Sequence, residues 1–306
     1  MVLLTARCFR AACHLFIQSG LPLPPASRQL RSFDVLTRGL AQQASLSQTS
    51  SQGYIGGPMV IDCHVHILDA QESTLSRLLA AAGRAGVDRL CISSLGRQWD
   101  EFPAEDRLKE AAEDVLAACV KYPDRFIGGV YVSADHVGTS LALLDRCVAQ
   151  GPCRFVKWWV SQYADDPRLD PIVERCVALD VPVLAHTWIK ATGNMTREST
   201  CFHVANMARR HPKMRIWMAH CSGRWEEAAR VAAPLPNVGI DVSGGEPEDG
   251  IVDCVVRSVG ASRVFYGSDA PGRNFVVQMS KVLSANLTEE DRRLVLGEGV
   301  RKWLHV

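Results

Sequence analysis

From Gly56 to the end of the chain, short apolar runs alternate with stretches whose apolar positions recur every three to four residues. The runs predict strands at Met59–His66, Arg89–Ser94, Phe126–Val132, Phe155–Val160, Val181–Thr187, Arg215–Cys221, Val238–Val242 and Val264–Ser268. Helices are expected between them over Thr74–Ala85, Glu105–Tyr122, Thr139–Gln150, Pro171–Leu179, Cys201–Arg210, Arg224–Ala232 and Asp249–Val259, followed by Asn274–Leu283 and a last helix from Glu289. Thr288-Glu289-Glu290-Asp291 has the form of an N-cap with an acid three residues on, and Leu296, Val300, Trp303 and Leu304 form the apolar stripe behind it. Repeated strand–helix alternation demands a parallel sheet. Eight such units in the 250 residues after Gly56 match an α/β chain closed into a (β/α)8 TIM barrel. An open doubly wound sheet is the alternative, but it would want a glycine-rich loop after the first strand. That strand runs into His64-Val65-His66-Ile67-Leu68-Asp69, which has no glycine.

Composition fits one large globular domain: 306 residues, 47% hydrophobic and 22% charged, with a net charge of +1. The charge is unevenly placed. Residues 1–56 hold five arginines, one aspartate and neither lysine nor glutamate, whereas the remainder sets 29 basic residues against 32 acidic ones, a net −3. A mildly acidic body offers no electrostatic footprint for nucleic acid, so a small molecule is the expected partner. In the N-terminal segment Arg7, Arg10 and His14 share one helical face, and Leu4, Cys8, Ala11 and Leu15 share another. Serine and glutamine then accumulate through Ala41–Gln52. Such a segment reads as a mitochondrial targeting sequence, with the matrix as destination, or as a disordered extension that would leave the protein in the cytoplasm. No apolar run reaches the ~20 residues that span a bilayer, so no membrane is expected. The 11 cysteines have no CxxC pair and often sit in apolar runs, as free buried thiols do.

The chemistry gathers at strand ends. His64 and His66 lie two positions apart on one strand, so their side chains point the same way, roughly 6–7 Å apart along the backbone. Two imidazoles on one face can share a metal ion. A barrel places its reactive groups at the C-terminal ends of its strands. Lys157 lies late in strand four, His186 ends strand five, His220 ends strand six and Asp269 follows strand eight, so residues far apart in sequence converge on one rim. Imidazole and carboxylate suit zinc and similar divalent ions at roughly 2.0–2.2 Å per bond.

With His64-Val65-His66 on strand one, His186, His220, and Gly267-Ser268-Asp269-Ala270-Pro271 after strand eight, residues 58–306 resemble the amidohydrolase superfamily. Within it the nearest likeness is the amidohydrolase-related branch of metal-dependent barrels. The resemblance implies that His64, His66 and Asp269 bind a metal, with His186 completing a mononuclear site. His220 is implied as a second-metal ligand or as the group that handles the proton. Lys157 falls where binuclear members resemble one another in having a lysine carboxylated by carbon dioxide that bridges two metals. One departure stands out: the closing helix of the family usually has an asparagine where Leu296-Gly297-Glu298-Gly299 places Gly299.

Each residue also has a quieter use. His186 and His220 could be satisfied core histidines, and Asp269 could cap the following helix. Asp62, two positions before His64 on the same face, could hydrogen-bond deeper in the barrel, orient a metal ligand or equally be a satisfied core polar group. Arg97, Arg224 and Arg273 follow strands two, six and eight, where they could meet an anionic substrate; Trp158, Trp159 and Trp188 could wall a pocket for a ring. These readings predict a hydrolase that uses one or two divalent ions, zinc above all, to open an amide, lactone or related bond, with Asp269 or His220 as the base. A homodimer is compatible with this reading. The alternative is a nonoxidative decarboxylase of an unsaturated or aromatic acid. Such enzymes look alike at His64, His66, His186, His220 and Asp269 but generally lack a strand-four lysine, so Lys157 favours hydrolysis. A third reading, encouraged by Gly299, is a metal-binding or scaffold barrel without turnover.

Overall fold

A computed structural model describes residues 59–306. The targeting or disordered segment expected over residues 1–56 lies outside the described residues. Eight parallel strands follow one another around the sheet in sequence order. They are β1 (Ile61–His66), β2 (Arg89–Ser93), β3 (Phe126–Tyr131), β4 (Cys153–Trp158), β5 (Val183–Ala185), β6 (Ile216–Met218), β7 (Val238–Asp241) and β8 (Val264–Phe265). The chain beyond β8 returns to β1: Cys63 N donates to Tyr266 O at 2.9 Å, Asp269 N to His64 O at 2.8 Å and His66 N to Ala270 O at 2.7 Å. Hence the sheet curls round into a (β/α)8 barrel. Helices cover its outer face: α1 (Glu72–Arg84), α2 (Glu105–Lys121), α3 (Val137–Leu144), α4 (Asp170–Ala178), α5 (Cys201–Arg210), α6 (Trp225–Ala232), α7 (Ile251–Val259) and α8 (Phe275–Leu283).

Several strands end earlier than the apolar runs do. β5, β6 and β8 stop at Ala185, Met218 and Phe265, and the backbone then leaves the ladder to form the turns that carry His186, His220 and Asp269. Apolar patterning cannot mark that boundary, because turn and strand are buried alike. The helix expected over Thr139–Gln150 is α3 continued by a π-helical turn at Asp145–Ala149. Among the described residues no cysteine is bonded to another, and no helix is long and apolar enough to cross a membrane.

The barrel floor is a cluster of Ile61, Cys63, Phe155, Leu184, Trp217 and Phe265, sealed from below by Val300 and Leu304. Three large rings fit only because β3 contributes none: a Cβ on Gly129 would lie 2.2 Å from the Phe155 ring. The sealing helix is α9 (Glu289–Arg293), a π-helical turn (Leu294–Glu298) and α10 (Gly299–Leu304) in succession. Thr288 caps it as expected, its hydroxyl accepting from Asp291 N at 3.1 Å. Gly299 has a packing reason. A Cβ there would lie 2.8 Å from Leu294 O and 3.3 Å from both Phe265 Cε1 and Ser262 O, so neither alanine nor asparagine fits without moving backbone. Gly299→Ala is therefore expected to lower stability by about 1–3 kcal/mol, read as a fall in Tm.

An irregularity in β1 decides which of its side chains reach the barrel interior: the register with β2 shifts between Asp62 and Val65. Ile61 and Cys63 belong to the barrel floor, and past the shift His64 and His66 take over the interior side. Asp62 therefore does not sit beneath His64 on the same face. Its Oδ1 accepts from His64 N at 3.0 Å and Ser268 N at 2.9 Å, tying β1 to the β8 turn. Burial raises its pKa to about 7.

Candidate metal centre

Three donors meet at the upper end of the barrel. His64 Nε2 and His66 Nε2 are 3.1 Å apart, and Asp269 Oδ1 lies 3.8 Å from the first and 3.6 Å from the second. Ligand atoms about 2.0–2.2 Å from one ion stand roughly 3–3.6 Å from one another, so this triangle fits a divalent cation with little adjustment. Asp269 caps no helix, because Asn274 does that for α8, accepting from Val276 N at 2.9 Å. Its backbone is left-handed, φ 62°, which aims the carboxylate back at β1.

His220 approaches from the other side. The turn after β6 holds three successive residues at positive φ, His220, Cys221 and Ser222, and such backbone persists only when its surroundings enforce it. Here His220 N donates to Asp241 Oδ1 at 2.9 Å, and Ile189 N donates to Ser222 O at 2.8 Å. The ring stacks on His64 with centroids 4.9 Å apart. His220 thus groups with His64 and Asp241 rather than with His66 and Asp269. His186 stands behind it, centroids 5.1 Å apart, outside both groupings of possible ligands among the described residues. Its Nε2 is engaged by Glu198, at 3.0 Å, which also receives Lys190 Nζ at 2.8 Å.

Lys157 is fully buried at the end of β4, its Nζ 3.0 Å from His64 Nε2. Among the described residues that is its one hydrogen bond, and no carboxylate lies within 4.0 Å. Burial lowers its pKa, with Asp269 and Asp241 opposing. Burial also raises Asp269, against the pull of Lys157. Burial above all holds His64, His66 and His220 well below the ordinary imidazole range, and Lys157 pushes the same way, which favours neutral rings. Neutral imidazoles are what a metal requires.

The four outlying candidates divide. Trp188 lies against His220, with centroids 5.0 Å apart, and Arg273 lines a cavity of about 360 Å3 that opens beside His66 between Ile67, Leu78, Ala270 and Phe275. Arg97 is not drawn to the centre, because Asp114 and Glu110 on α2 hold its guanidinium at 3.4 and 3.1 Å. Arg224 is likewise turned outward, 3.5 Å from Glu227. Trp158 is core rather than mouth, 1% exposed, whereas Trp159 faces Trp99, which in turn stands edge-on to His66. Sequence reasoning passed over Asp241, Ser243, Glu198 and Trp99. Asp241 carried a usable signal, since it is a carboxylate at the end of a predicted strand; Glu198 and Trp99 lie in loops whose path no local pattern gives.

A family model described as Amidohydrolase matches residues 61–305. The chain belongs to this amidohydrolase family. Among solved structures it is similar to 5-carboxyvanillate decarboxylase from Sphingomonas paucimobilis, at 14% identity and TM-score 0.67 over 82% of this chain and 100% of that one. It is similar to 2,6-dihydroxybenzoate decarboxylase from Rhizobium, at 16% identity and TM-score 0.67 over 82% and 99%. A third is 5-carboxyvanillate decarboxylase from Novosphingobium aromaticivorans, complexed with manganese and 4-hydroxy-3-methoxy-5-nitrobenzoic acid, at 14% identity and TM-score 0.65 over 82% and 97%. Likeness at these identities is likeness of fold. No protein of curated function matches the sequence.

Proposed function

We propose that this chain is a metal-dependent lyase that releases carbon dioxide from a ring-bearing or unsaturated carboxylic acid. The observation that carries the reading is a row of rings: Trp99, His66, His64, His220 and Trp188 follow one another with centroids 5.3, 5.0, 4.9 and 5.0 Å apart. An indole thus closes each end of the candidate centre. Such walls suit a flat ring, while Lys157, buried without a carboxylate partner among the described residues, suits its acid group. The dihydroxybenzoate and carboxyvanillate decarboxylases among the solved neighbours, whose names give ring acids as substrates, support the same class.

His64, His66 and Asp269 would hold the ion, for which two imidazoles and a carboxylate suit zinc and manganese alike. When bound, a divalent ion there would polarise oxygens of the substrate. Loss of carbon dioxide breaks a carbon–carbon bond and leaves its electron pair on the ring carbon, which then takes one proton. Asp269, at the mouth beside both His64 and His66, is placed to carry that proton. His220 gives its Nδ1 hydrogen to the Ser243 carbonyl, 3.2 Å away, so its Nε2 faces the centre as an acceptor for a substrate hydroxyl.

Hydrolysis is the second reading, and Lys157 favours it: burial brings the amine toward the neutral form that carboxylation needs. The two separate in one assay. Protein loaded with manganese or zinc is offered carboxyl-labelled hydroxybenzoates and unsaturated acids, alongside a panel of amides and lactones. Labelled carbon dioxide from the ring acids is the expected result; opening of an amide or lactone with no carbon dioxide from any acid would reverse the assignment.

A further inference from the structure

Asp241 ends β7 fully buried, and both of its carboxylate oxygens are engaged. Its Oδ1 accepts from His220 N at 2.9 Å, Ser243 N at 3.0 Å and Ser243 Oγ at 2.6 Å. Its Oδ2 lies 3.0 Å from His64 Nδ1. A carboxylate can only accept, so His64 must present Nδ1–H there, and its lone pair is then on Nε2. That nitrogen is the one aimed at His66 Nε2 and Lys157 Nζ. Because Asp241 takes the Ser243 hydroxyl hydrogen, Ser243 Oγ is left as an acceptor, 3.0 Å from His64 Nδ1 and 3.0 Å from His220 Nδ1. Ser243 Oγ thus supports the Nδ1–H of His64, while the Ser243 carbonyl, 3.2 Å from His220 Nδ1, fixes that ring as Nδ1–H independently of Asp241.

We propose that Asp241 is the positioning residue that selects the tautomer of His64, and so decides which of its nitrogens the centre offers to a metal. The inference rests on the proposed metal site for its purpose, but the tautomer claim stands on hydrogen-bond geometry alone. It makes an unusual demand of a nearly isosteric change. In Asp241→Asn the amide oxygen must stay where Oδ1 was, because two backbone N–H groups that cannot reverse point at it. The amide NH2 is then forced to face His64 Nδ1 as a donor. An Nδ1–H would then face that donor and keep only Ser243 Oγ as acceptor, so His64 is expected to accept at Nδ1 and carry its hydrogen on Nε2, where it blocks the lone pair. Aspartate-to-asparagine exchange beside a catalytic histidine acts in this way in serine proteases.

The test is nitrogen-15 NMR of the histidine rings in metal-free full-length protein, followed by a manganese(II) titration. Wild type is expected to show His64 and His220 as Nδ1–H tautomers, and Asp241→Asn to switch His64 to Nε2–H with His66 and His220 unchanged. Manganese affinity is expected to fall about 10–100-fold in the variant. A merely structural role would not move one ring's tautomer while leaving its neighbour. An Nε2–H His64 in wild type, or an Nδ1–H His64 that persists in the variant, would overturn the proposal. Should Asp241→Asn not fold, the wild-type spectrum still decides. Failure of wild type to take up manganese or zinc would count against the metal reading, not against the tautomer assignment.

Discussion

Asp269→Asn should cut turnover by about 10³-fold while leaving the fold in place. The carboxylate has two uses in the proposed site, as the anionic member of the donor triangle with His64 and His66 and as the carrier of the proton that replaces carbon dioxide. Asparagine is neutral, cannot supply an acidic hydrogen and coordinates more weakly. The scaffold should not notice. Asp269 sits at φ 62°, a conformation that asparagine tolerates, and the contacts that stitch this turn to β1 come from its main chain, whose N–H donates to His64 O. Relieving a buried carboxyl should leave Tm unchanged or slightly raised. Steady-state kinetics with a thermal melt checks both statements. Turnover within tenfold of wild type would remove Asp269 from the chemistry, and a collapsed melt would show that the side chain holds the structure.

Lys157→Met should lower kcat/KM on an acid substrate by about 10²-fold, within the ~2–5 kcal/mol that attends loss of one partner from a buried charge pair. Metal content should stay at one ion per chain. The lone pair on His64 Nε2 lies 3.0 Å from Lys157 Nζ and is the same one an ion would use. An ammonium there competes with the ion until a substrate carboxylate draws it away, so methionine, of similar length and without charge, should tighten metal binding in the absence of substrate. A carboxylated lysine predicts the reverse, two ions per chain falling to one. Elemental analysis of wild type and variant, purified without chelator, tells these apart, and the second outcome would return the assignment to a carbamate-bridged hydrolase.

The gap between candidate and observed site residues follows from what each type of residue can reveal locally. Arg224 could have been discounted from sequence, since Glu227 stands three residues on along the same helix start. Arg97 could not, because its partners on α2 are 13 and 17 residues away. His186 shows the same limit: its strand-end position was legible, but Glu198, which takes its Nε2, comes from a loop that folds back. Arg97 and Arg224 stay paired with their acidic neighbours and do not contribute to the centre formed by His64, His66 and Asp269.

Alternation of apolar runs with amphipathic stretches was enough to establish the (β/α)8 barrel, because each strand of a parallel barrel is buried on both faces and each helix on one, and burial leaves its mark residue by residue. The same rule located His64, His66, Lys157, His186, His220 and Asp269, since strand ends define the mouth. Three features needed the folded chain. The register shift in β1 put Cys63 rather than Asp62 in the barrel floor; the left-handed turn after β6 set the His220 ring over His64; and Asp241, 177 residues from His64, became its hydrogen-bond partner. Tautomers, ligand triangles and the fate of a buried lysine depend on distances of about 3 Å between groups that no sequence spacing relates.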